Sequence, residues 1–75
     1  MKNEIIKRAK QAIREQDEVV VYRNMSYSFW AVSDGDNLEI EVYDFANYLL
    51  LSKICKSPAQ LAGVVLDILE GNLCF

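Results

Sequence analysis

Residues 18–43 read EVVVYRNMSYSFWAVSDGDNLEIEVY, and this stretch decides the fold. Three runs, Glu18–Arg23, Tyr27–Ser33 and Leu38–Tyr43, are rich in β-branched and aromatic residues and are parted by short polar connections. Such side chains suit the pleated, half-buried surface of a strand. The last run alternates Leu38, Ile40 and Val42 with Glu39, Glu41 and Tyr43, the pattern of a strand with one buried face. Between the last two runs, Asp34-Gly35-Asp36-Asn37 is a hairpin signal, because Gly and Asn tolerate positive φ. The stretch predicts a three-stranded antiparallel meander.

The two turns predict a register. A turn centred on Gly35-Asp36 pairs Ser33 with Leu38, Ala31 with Ile40 and Phe29 with Val42. A turn centred on Asn24-Met25 pairs Tyr22 with Tyr27 and Val20 with Phe29. One face then carries Val20, Tyr22, Tyr27, Phe29, Ala31, Leu38, Ile40 and Val42, a core for helices to cover. The other carries Val19, Val21, Ser28, Trp30, Val32, Glu39, Glu41 and Tyr43. A solvent face is ordinarily polar, yet this one sets a tryptophan beside three valines and rims them with acids.

Upstream, residues 3–16 predict an amphipathic helix whose stripe is Ile5, Ile6, Ala9, Ala12 and Ile13, at i, i+3, i+4, i+7 spacing. Lys7, Lys10 and Arg14 lie on the opposite face, and Glu4 is placed to pair with Arg8. Downstream, residues 45–55 read as a second helix with Asp44 as its N-cap, although its apolar residues surround the axis. The third helix has the best punctuation. Ser57-Pro58-Ala59-Gln60 is a capping box with Pro at the first helical position. Gly71 stands where a left-handed C-cap belongs. The expected architecture is one α+β domain over residues 1–75, a small α-β-β-β-α-α fold with the helices packed on one face of the meander.

Of the 75 residues, 52% are hydrophobic, more than a core of this size can hide, since so short a domain buries only about 60% of the surface its unfolded chain exposes. Large apolar side chains are therefore expected at the surface or against a partner. Leu50, Leu51 and Ile54 of the second predicted helix are the candidates for a homodimer interface. Net charge is −3, but the first fourteen residues hold five of the eight bases against one acid. Between Asp34 and Asp44 there are five acids and no base. An acidic body argues against general binding of a phosphate backbone, which needs basic side chains.

No constellation for catalysis stands out. Glu39 and Glu41 share a strand face, which alternation alone explains, and general acid–base work needs environments that separate two such carboxyls. Asp34-Gly35-Asp36-Asn37 fails the calcium-loop pattern, because the fifth position is Leu38 and the twelfth is Phe45. There is no histidine, and two cysteines are too few for a tetrahedral zinc site. The expectation is no enzyme activity, no metal and no cofactor. Cys55 and Cys74 are expected as free thiols in a reducing cytoplasm, Cys55 in the core. Met1-Lys2-Asn3-Glu4 does not open a signal peptide, and no apolar run has the roughly 18–20 residues of a membrane span.

The α-β-β-β-α order is shared with double-stranded-RNA-binding domains, but that family's lysine cluster falls where this chain has Ser57-Pro58-Ala59-Gln60. The last helix, with Gln60, Asp67 and Glu70 and no base, would repel phosphates. In element order and acidic charge the chain resembles small phage-encoded inhibitors of host defence, anti-CRISPR proteins among them. That resemblance is one of architecture and charge, with no shared motif. It implies an inhibitor that presents carboxylates where phosphates would sit. The expected function is thus a non-enzymatic binding module, an inhibitor or regulator, that docks Trp30, Glu39, Glu41, Tyr43, Asp34 and Asp36 on a basic partner protein. The alternatives are a nucleic-acid-associated regulator using Lys7, Lys10 and Arg14, or a small self-assembling subunit.

Overall fold

The computed structural model describes residues 1–73 and contains six elements. In chain order they are α1 (Lys2–Glu15), β1 (Glu18–Arg23), β2 (Tyr27–Asp34), β3 (Asn37–Asp44), β4 (Leu49–Cys55) and α2 (Pro58–Leu69). The strands form one antiparallel sheet in the order β1-β2-β3-β4. The α+β class is as expected. The three-stranded meander is corrected to four strands, and the helix expected over residues 45–55 is β4.

The β2–β3 hairpin forms in the expected register, with Ser33 opposite Leu38, Ala31 opposite Ile40 and Phe29 opposite Val42. Gly35 has φ 62° as the first central residue of a two-residue turn, the position where a hairpin of matching twist wants glycine. The β1–β2 register differs. Asn24 Oδ1 accepts from the backbone N–H groups of Ser26 and Tyr27, and the Asn24 N–H donates to the Tyr27 carbonyl. The turn is therefore centred on Met25-Ser26, one residue later than expected, and neither residue needs a positive φ. An irregularity between Val20 and Tyr22 absorbs the shift, so that Val20 pairs with Trp30 and Tyr22 with Phe29. Val21, expected outside, is buried; Val20, expected in the core, faces outward beside Trp30.

Residues 44–48 decide against the middle helix. The Asp44 carboxylate accepts from the N–H groups of Ala46 (2.9 Å), as a helix N-cap would, and of Tyr48 (3.0 Å), one residue beyond a cap's reach. However, the Asp44 N–H donates to the Tyr48 carbonyl, and Asn47 takes φ 66°. One left-handed residue closes a three-residue hairpin loop and ends any helix at its first turn. The chain then returns along β3, and pairing with that strand overrides the helix preference of three leucines.

Both helices cover one face of the sheet. Ile5, Ala9 and Ala12 of α1 and Leu61, Ala62, Val64, Val65 and Ile68 of α2 join Phe29, Ala31, Leu38, Ile40 and Val42 in a single core. The two alanines bring α1 close to the sheet. Ile13, expected in that stripe, is exposed. Glu4 and Arg8 pair at 3.0 Å as expected. The Ser57 hydroxyl accepts from the Gln60 N–H at 3.1 Å, and Gln60 Oε1 accepts from Lys56 N–H, one residue ahead of the usual capping-box partner. Gly71, at φ 80°, follows the end of α2 as expected.

Candidate functional site

With the helices on one side, no described element covers the other face of the sheet, and its pairing fixes three rows of side chains across it. The first is Glu18, Val32, Glu39 and Ile54; the second is Val20, Trp30, Glu41 and Ser52; the third is Arg23, Ser28, Tyr43 and Leu49. Three carboxylates and one base thus surround a tryptophan and a tyrosine. Trp30 lies at the middle, half-buried among its neighbours. Its Nε1–H donates to Ser28 Oγ (3.2 Å), and the Tyr43 hydroxyl donates to Glu41 Oε1 (2.8 Å). That bond to a carboxylate holds the Tyr43 phenol above its ordinary pKa; desolvation and the charges of Glu41 and Glu18 act the same way.

Trp30 borders two grooves. One, of about 180 Å³, runs between Glu18, Trp30, Tyr43 and Asn47. The other, of about 270 Å³, opens between the β1–β2 and β3–β4 turns and is lined by Met25, Tyr27, Trp30 and Phe45 together with Arg23 and Asp44. This end of the sheet is its most apolar rim: Met25 is 97% exposed, Phe45 84% and Tyr48 70%. A third depression, of about 160 Å³, lies between Val32, Asp34, Asn37 and Glu39.

The expected docking residues are therefore only partly gathered. Trp30, Glu39, Glu41 and Tyr43 share the outer face, and Asp34 borders it. Asp36 sits at the tip of the β2–β3 turn, exposed and away from the grooves. Of the three residues offered as a dimer interface, Leu51 packs against the core and Leu50 is half-buried; Ile54 is exposed at 64%, opposite Glu39, with Leu49 exposed at 52% along the same strand. Lys7, Lys10 and Arg14 are exposed on α1, in the layer opposite the outer face.

Besides Val20 and the β4 residues, three residues of this surface were not anticipated. Glu18 reaches it because the β1 irregularity reverses the facing of that strand's first half. Phe45 and Asn47 reach it because residues 44–48 form a turn. The asparagine three places after an aspartate was the available signal. Cys55 is buried, and burial raises its thiol pKa; Cys74 lies outside the described residues. Among the described residues there is no cluster of three or more His, Cys, Asp or Glu that could hold a metal ion, and no helix long and apolar enough to cross a membrane. No family model matches the chain, and neither a curated protein nor a solved structure matches it.

Proposed function

We propose that this domain is a non-enzymatic protein-binding module, an inhibitor or regulator, that docks the outer face of its sheet on a basic surface of another protein. One observation carries this reading: Trp30 stands on an uncovered strand face between Val20 and Glu41, with Glu18 and Glu39 in the neighbouring row. Contiguous apolar surface with a polar rim marks interaction sites, and Trp and Tyr are frequent anchors there. Capture from the native host tests it. A basic protein retained by the wild-type domain should be lost when Glu39 and Glu41 are both changed to Lys, and lost again with Trp30→Ala. Retention that survives both changes contradicts the reading. Wild-type retention on immobilised DNA, abolished by reversing Lys7, Lys10 and Arg14, would replace it with the nucleic-acid alternative.

Self-association is a second reading, supported by β4. This is an edge strand of the sheet, and Leu49 and Ile54 expose more than half of their surface along it. Unpaired edges template pairing with another chain.

A further inference from the structure

We infer that the outer face recognises an arginine side chain of its partner, stacked on the Trp30 ring in the cleft toward Tyr43 with its charge beside Glu18 and Glu41. This rests on the docking reading above and specifies the chemistry of the occupant. The polar edges of both aromatic residues are already committed, Trp30 Nε1–H to Ser28 Oγ and the Tyr43 hydroxyl proton to Glu41. What the cleft offers a visitor is ring faces, the Glu18 carboxylate and the amide of Asn47, with Glu41 beside Trp30 on the neighbouring strand. Such walls select a cation, and the carboxylates reject phosphate. Among cations, a guanidinium is planar and weakly hydrated, carries five donors and lies flat on an indole; an ammonium is compact and strongly hydrated. The three-to-one excess of acids over bases in the rows around Trp30 supplies the complementary charge and steers the approach.

Three blocked peptides of equal length, differing only in two positions occupied by Arg, Lys or citrulline, test this on the full chain. Amide and indole NMR shifts serve as the readout. The Arg peptide should bind more tightly than the Lys peptide, by at most about two- to fivefold, the whole increment of one exposed cation–π contact, and shift the Trp30 indole and the Glu41 and Tyr43 amides. The uncharged citrulline peptide should bind least. Trp30→Leu, which keeps an apolar side chain on an outward position, should erase the preference for Arg, and Glu41→Gln should weaken both basic peptides. Equal binding of Arg and Lys overturns the guanidinium inference while leaving an acidic docking face intact. Failure of both basic peptides also overturns it, and the docking reading is then judged by host capture alone. A Trp30 indole shift that changes on dilution without any peptide overturns it in favour of a second copy of this chain as occupant.

Discussion

Gln16, at the end of α1, ties the helix layer to the tip of the β2–β3 hairpin. Its amide donates to the Ile13 carbonyl, Ser33 Oγ and the Gly35 carbonyl, and its Oε1 accepts from the Gly35 N–H at 2.7 Å. It does so in a left-handed conformation, φ 52°, which costs a non-glycine residue about 1–2 kcal/mol. Two effects therefore oppose each other. Gln16→Ala keeps the strain and loses the bonds, so urea denaturation should show a loss of about 1–3 kcal/mol. Gln16→Gly relieves the strain and should lose less; equal losses would mean that the left-handed strain contributes nothing, and no loss in Gln16→Ala that the bonds contribute nothing. Ser57→Ala should cost about 0.5–2 kcal/mol through its cap, and an unchanged midpoint would contradict that role. Tyr43 adds a pH dependence. Its pKa is raised in the fold by the bond to Glu41, so that bond's stabilisation is fully present below the ordinary tyrosine range and is lost as pH rises through the raised value. Glu41→Gln should bring the Tyr43 titration, followed by NMR, back down; no movement would contradict the bond. Glu4 runs the opposite way: its hydrogen bond from Arg8 lowers its pKa, so its contribution is present above the ordinary glutamate range and fades as pH falls through the lowered value.

At the scale of elements, legibility followed the range of the forces. The β2–β3 register was readable because Gly35 and the alternation on both sides of it are local. The α2 start was readable because Ser57 and Gln60 act within one turn. The β1 facing was not, because the irregularity between Val20 and Tyr22 reconciles two turns and nothing within the run of valines marks it. The sheet's fourth strand was hidden for a related reason: LLLSKIC reads as helix by propensity and becomes a strand only by pairing with β3. Its irregular burial holds the clue. Lys53 occupies the inward-facing position opposite Ile40, yet it stays exposed at the sheet edge, and an inward charge on an edge strand discourages further pairing. Lys53→Val should leave the fold intact and raise the average mass in light scattering as concentration increases. A variant that stays at the wild-type mass would mean that Lys53 does not guard the edge. Of the dimer candidates read on the expected helix, Leu51 packs against the core and Leu50 is half-buried, because the strand period turns them to different sides from the helical one.

As a whole, the molecule is layered by charge. Lys7, Lys10 and Arg14 are exposed on a helix covering one face of the sheet, while Glu18, Glu39 and Glu41 belong to the other. The surplus of apolar residues read from composition is visible in Met25, Phe45, Tyr48, Leu49 and Ile54, gathered at one end of the sheet and along its β4 edge. Which surface a partner covers was beyond the sequence, because it depends on both helices choosing the same face. Trp30 is the chain's one tryptophan, so its fluorescence reports on that choice without a label. Quenching by caesium and by iodide, each scaled to its effect on the same chain unfolded in urea, measures both exposure and local charge. The expected result is that native Trp30 remains quenchable and that caesium is favoured over iodide. The difference should shrink at high ionic strength, as screening requires, and in the Glu39→Gln, Glu41→Gln double variant. Protection from both ions, or a preference for iodide, would mean that the outer face is covered or not acidic, and would contradict the docking surface proposed for it.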